Sequence, residues 1–152
     1  MITIKIVCVG NLKENFWTLA CEEYKKRLGR FCHVKIVELE EQNKYENIDK
    51  IIDEEGKEIL NSIEGVSTLL DIGGKMITSE DLASFIKDTS LISSTLTFVI
   101  GGSYGVSQDV KNKLPNKISF GRVTYPHNLA RVILLEQIYR AFMINGGGKY
   151  HK

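Results

Sequence analysis

Apolar and polar positions alternate from Ile2 to Val9, a β-branched stretch that stops at Gly10-Asn11, so the two-residue period predicts a strand and a turn. The period then changes. Phe16, Ala20, Tyr24 and Leu28 recur every fourth residue with Trp17 alongside, which predicts a helix that ends at Gly29 and turns this stripe toward the core. Val34 to Leu39 predicts a second strand, Glu41 to Lys44 a polar loop, and Ile48 to Ile63 a helix whose charges mostly form a solvated face. A third strand is expected over Val66 to Ile72, ending at Gly73-Gly74, followed by a helix opened by Ser79 and running to about Lys87. Leu96 to Ile100 is almost purely apolar, the signature of a strand buried on both faces of a parallel sheet. Beyond it, Ser107 caps a short helix closed by Pro115, Ile118 to Phe120 forms a fifth strand, and Pro126 suits the first turn of a helix reaching Ile144. Strands alternating with helices give an α/β fold, a mainly parallel sheet with helices on both faces.

The 152 residues suit one domain spanning 1–152, with 43% apolar and 26% charged positions and no linker, repeat or biased tract. No apolar run approaches the roughly 20 residues a membrane span needs, and no secretory signal pattern opens the chain, so a soluble cytoplasmic protein without membrane contact is expected. Cys8, Cys21 and Cys32 are odd in number and lack CxxC spacing, which predicts reduced buried thiols rather than disulfides or a metal site. Charge is uneven. From Lys111 onward eight basic residues face one acid, Glu136, a net +7, while the whole chain carries only +1. That asymmetry fits an anionic partner at the C-terminal end, and on charge alone it fits chance equally well.

Three segments could carry chemistry. Phe98 to Gly105 (FVIGGSYG) is a strand end followed by a glycine loop, the place where open α/β sheets bind ligands and where backbone can approach them closely. It lacks the Gly-Lys-Ser/Thr of a phosphate loop and is not a GxGxxG fingerprint after the first strand, so phosphoryl transfer and nicotinamide chemistry lose support. Ser119 to Arg131 sets Arg122 in a loop and His127 in the first turn of a helix, where the dipole favours neutral imidazole; a lone histidine there is more often a structural donor than a catalyst. The tail Gly146 to Lys152 joins three glycines to Lys149, Tyr150, His151 and Lys152, a flexible end able to fray or to close over a site and clamp RNA.

Taken in order, FVIGGSYG, Thr124 to Arg131 (TYPHNLAR), Glu136 to Ala141 (EQIYRA) and Tyr150 to Lys152 (YHK) resemble the small SPOUT-class methyltransferases that modify a pseudouridine of large-subunit ribosomal RNA. Agreement continues through Val9 to Lys13 and Tyr24 to Leu28, and so covers the whole chain; one departure is Lys149, where many relatives carry proline. The resemblance implies a C-terminal deep trefoil knot, a homodimer with knot helices at its interface, and S-adenosylmethionine as cofactor. It implies that three loops hold this cofactor largely by backbone: Leu70, Asp71, Ile72 and Gly73; Gly101, Gly102 and Gly105; and Phe120, Gly121, Arg122, Val123, Thr124 and Tyr125. The implied substrate is 23S rRNA in the large subunit or the whole ribosome, methylated at N3 of a pseudouridine. N3 bears an imide proton that must leave, so a base or charge stabiliser is required, and His127, Arg131, Arg140, Tyr150 and His151 are the candidates. Alternatives are a knotted methyltransferase acting on another RNA atom, such as a ribose 2′-oxygen, and a non-catalytic ribosome-binding module; intact glycines and the full YHK ending weigh against the latter.

Overall fold

The computed structural model describes residues 1–152. Five strands, β1 (Thr3–Val9), β2 (His33–Leu39), β3 (Val66–Met76), β4 (Thr95–Ile100) and β5 (Asn116–Ser119), form one sheet in the order β2-β1-β4-β3-β5, and every neighbouring pair is parallel. Five helices connect them: α1 (Asn15–Leu28), α2 (Ile48–Ser62), α3 (Ser79–Ile92), α4 (Gln108–Lys113) and, after β5, α5 (His127–Asn145). The apolar strands take the middle of the sheet because only there are both faces covered.

Alternation within β1 divides the core. Ile4, Ile6 and Cys8 face a cluster built with α1, α3 and α5, including Leu28, Leu82, Leu134 and Ile138. Val7 and Val9 face a smaller cluster with Ile59 of α2 and Val110 of α4. Helices therefore cover both faces, as the pattern predicted.

Several boundaries differ from expectation for identifiable reasons. β3 does not stop at Gly73-Gly74. Leu70 and Lys75 both oppose Ile118 of β5, so residues 71–74 swing out of the ladder and the strand resumes through Met76. α3 is capped by Thr78, not Ser79: the Thr78 hydroxyl accepts the Asp81 N–H and the Asp81 carboxylate accepts the Thr78 N–H, a reciprocal box that starts a helix running to Ile92. β5 begins at Asn116 and ends before Phe120, and Pro126 occupies the N-cap of α5 rather than its first turn. Phe16 is 61% exposed, because the stripe of α1 that meets α5 runs through Cys21, Tyr24 and Leu28 and its first turn lies beyond that contact. The three thiols are free and buried; burial pushes Cys8 up to about 11 and Cys32 up to about 12. No helix is long and apolar enough to cross a membrane.

Candidate functional site

The carboxyl ends of β3, β4 and β5 open into a cavity of about 450 Å³, within the range that small-molecule sites occupy. Three loops make its wall, and each is shaped by its own chemistry. Beyond β4, Gly102 and Gly105 form an isolated bridge in which the Gly105 N–H donates to the Gly102 carbonyl at 3.1 Å. Gly105 has φ +82°, a left-handed conformation that side chains resist. Gly101 is a glycine for want of space, since a Cβ would lie 2.7 Å from Val106 Cγ1; at Gly102 the fit is tight, with a Cβ 3.0 Å from Glu55 Oε1 and 3.1 Å from Val9 Cγ1.

The outswung 71–74 segment forms the second loop. The third follows β5, where Ser119 Oγ donates to the Gly121 carbonyl at 2.7 Å and accepts its N–H at 3.2 Å, while Gly121 takes φ +120°. Arg122 joins the second and third loops by donating from a guanidinium nitrogen to the Ile72 carbonyl at 2.9 Å.

Of the expected cofactor residues, Leu70, Asp71, Ile72, Gly101, Gly102, Gly105, Phe120, Gly121, Val123, Thr124 and Tyr125 line this cavity. Gly73 and Arg122 are exposed and do not line it; Gly73 donates its N–H to Asp71 Oδ1 at 3.3 Å, and Arg122 braces the loops as described. Lys111 of α4 and Ala130 of α5 also line it and were not singled out from sequence. Ala130 was within reach of pattern reasoning, since it lies three residues beyond His127 on one face of a helix. Lys111 was counted only as charge.

The five candidate reactive residues fall into three places. His127 opens α5 and lines the cavity, its Nε2 3.9 Å from Glu41 Oε1, too long for a hydrogen bond. Arg131 is 2% exposed and faces away from solvent, with one guanidinium nitrogen 2.7 Å from Glu38 Oε2 and another 3.2 Å from the Gly10 carbonyl. It braces α5 against the ends of β1 and β2.

Arg140, Tyr150 and His151 form a third group with Glu136. The tail is docked, not frayed. Tyr150 meets Tyr139 edge to face at 4.9 Å, lies under the Arg140 guanidinium at 4.7 Å, and donates its hydroxyl to Glu136 Oε1 at 3.2 Å. Burial, and then the Glu136 carboxylate, hold its phenol above the usual range, so it stays protonated at neutral pH. Arg140 holds Glu136 Oε1 at 2.6 Å and donates to His151 Nδ1 at 3.2 Å. That donor assigns the imidazole proton to Nε2, which lies 2.6 Å from Glu80 Oε1.

Glu136 lies nine positions beyond His127 on α5, about 13.5 Å along the helix axis, so one chain does not put the tail beside His127. A smaller cavity of about 210 Å³ shares Phe120 and Tyr125 with the first and reaches Ser79 and Gln137, beside this group.

A cleft walled by glycine loops at the carboxyl ends of parallel strands, with a cationic C-terminal segment beside it, is also where comparison with known proteins points. The family model described as "Predicted SPOUT methyltransferase" matches residues 2–151. Proteins named "Ribosomal RNA large subunit methyltransferase H" are similar over their whole length: that of Oenococcus oeni is 47% identical, covering 100% of both chains. Those of Clostridium novyi and Clostridioides difficile are 47% and 43% identical, each over 99% of this chain and 100% of theirs. A match of this extent, on a sheet and cleft of this form, makes the chain a member of the SPOUT methyltransferase family.

Proposed function

We propose that the chain transfers the methyl group of S-adenosylmethionine to N3 of a pseudouridine in 23S rRNA. The observation that carries this reading is the cavity itself. Its glycine-shaped walls present mostly backbone, and at Gly101 a Cβ has no room. That cradle fits an adenosyl group held by main-chain amides and carbonyls, with Asp71 and Lys111 as the charged wall residues for its zwitterionic amino-acid arm. When bound, the cofactor supplies an electrophilic methyl on a sulfonium.

The protein's own share is positioning and charge. The loops fix the donor, and His127, at the N-terminus of α5, marks the mouth where the target base enters. The imide proton of N3 must leave as the new bond forms, and Arg140 is suited to stabilise the resulting charge. His151 is the tail group able to take up that proton: its Nδ1 lone pair becomes free when the Arg140 guanidinium turns from it to the imide, and Glu80 on Nε2 steadies the imidazolium that forms. Because one chain leaves the tail far from His127, we assign the tail of a second copy to each cavity, in a homodimer packed on α5, where Val132, Ile133, Met143 and Ile144 remain only partly buried. Threading of the segment after β5 into a trefoil knot belongs to the same reading, as does work in the cytoplasm on the large subunit or whole ribosome.

Calorimetric titration with S-adenosylmethionine is expected to show binding, and mass mapping of rRNA from a strain lacking the gene is expected to show the pseudouridine unmethylated. No heat at millimolar donor would sink the activity. Unchanged methylation at that base would sink the substrate.

A further inference from the structure

Glu55 is the one charged residue of α2 that the sheet covers; it is 5% exposed. Its two carboxylate oxygens live differently. Oε2 accepts the Gln42 N–H at 3.0 Å, which ties α2 to the loop carrying Glu41. Oε1 is buried and has no partner, an arrangement that costs free energy unless a donor arrives. It lies against the cofactor cavity, 3.0 Å from where a Cβ on Gly102 would be. The next residue, Gly56, packs so closely on Ser107 that a Cβ there would lie 2.5 Å from the hydroxyl, so Glu55-Gly56 touches the glycine loop near both its ends.

The loop offers free donors. Gly105 N–H is satisfied by Gly102, but the amides of Ser103 and Tyr104 donate to no acceptor of the chain. An unpartnered buried acceptor thus lies against Gly102, where a solvent-exposed turn begins whose next two amides have no partner within the chain. We propose that Glu55 is a positioning residue for methyl-donor binding: its free oxygen receives an amide of the Gly102-Ser103-Tyr104 turn as that turn closes on the donor. The inference rests on the S-adenosylmethionine reading above.

Protonation acts on the same contact. Burial holds the Glu55 carboxyl above its ordinary range; the Gln42 N–H opposes this, and Glu41, the charged group facing it from the neighbouring loop, adds to it. A protonated Oε1 no longer accepts as a carboxylate, so donor affinity falls as pH drops through the raised Glu55 value.

Glu55→Gln isolates the contact. Glutamine keeps length and volume, and the Gln42 N–H claims its amide oxygen, which turns an NH₂ group, a donor, toward Gly102. Titrated with S-adenosylmethionine at about pH 8, E55Q is expected to bind about tenfold more weakly than the parent, the loss of one hydrogen bond to a charged acceptor, with kcat at saturating donor within about twofold. The parent loses further affinity on acidification relative to E55Q, whose curve removes the contributions of His127 and Asp71 in the same cavity. Ile59→Val, one turn further along α2, is expected to lower stability without weakening donor binding. Equal affinity of parent and E55Q with parallel pH curves, or a loss matched by I59V, overturns the role of Glu55. Failure of the parent to bind at all overturns the donor reading instead. Should E55Q not fold, carbon NMR of the Glu55 carboxyl in the parent decides: its titration midpoint moves down when donor is added, and an unmoved midpoint overturns the proposal.

Discussion

Arg131 divides its guanidinium between the Glu38 carboxylate and the Gly10 carbonyl, across the ends of two strands. The resemblance makes it a candidate to stabilise charge at the target base, and its side chain is 3% exposed against 42% for Glu38. Removing the buried partner strands less charge than usual because Glu38 can rehydrate, so Arg131→Ala is expected to cost about 2 kcal/mol, below the cost of breaking a fully buried pair. For a chain of this size that is a fall of about 4–8 °C in Tm, readable by calorimetry, with donor affinity retained. His151 differs in kind. It touches Arg140 and Glu80 at the surface and no wall of the larger cavity, so His151→Ala is expected to lower kcat at least about tenfold and leave the Kd for S-adenosylmethionine within about twofold. Equal losses in both would show that the tail serves the donor. Glu55 is legible in the sequence as well: Ile51, Glu55 and Ile59 are spaced by four, so the carboxylate sits on the buried stripe of its own helix.

At the scale of elements, β3 does what its sequence did not announce. Two adjacent glycines normally end a strand, yet here they let the chain leave the ladder after Leu70 and rejoin it at Lys75, and the excursion supplies Asp71 and Ile72 to the cavity. Gly74 is the tight point, since a Cβ there would lie 2.8 Å from the carbonyl carbon of Lys117 on β5. Backbone cannot yield as a flexible side chain does. Gly74→Ala is therefore expected to part β3 from β5, with a loss of about 2 kcal/mol in denaturant unfolding and a weaker donor complex; an unaffected Kd would show the excursion to be independent of the ladder. Helix starts were easier to read, because capping chemistry is local. Even so, Thr78 and Ser79 are both capping residues, and only the position of Asp81 three residues on decides for Thr78.

For the whole molecule, the net +7 of the C-terminal segment overstates what RNA can meet. Arg131 is paired with Glu38, Arg140 with Glu136 and Lys113 with Asp109, which leaves Lys111, Lys117, Arg122, Lys149 and Lys152 outside ion pairs. If the four of these other than Lys111, which lines the donor cavity, meet phosphate, log affinity for an rRNA stem-loop should fall with log salt at a slope of about −3, measured by filter binding or fluorescence anisotropy. A slope near zero would remove the electrostatic contribution. Periodicity and capping by themselves determined the alternation of strands and helices, the buried β4, the helices on both faces and the glycine loop after β4, because these depend on side-chain spacing within a few residues. The ordered motifs also gave the family by resemblance, and the match over residues 2–151 agrees. Strand order, the return of β3 to the ladder, the exposure of Phe16, the withdrawal of Arg131 and the docking of the tail on Tyr139 and Glu136 were decided only by the tertiary structure. Each depends on which groups far apart in the chain become neighbours, Glu38 with Arg131 or Glu80 with His151, and local spacing carries no information about partners 93 or 71 residues away.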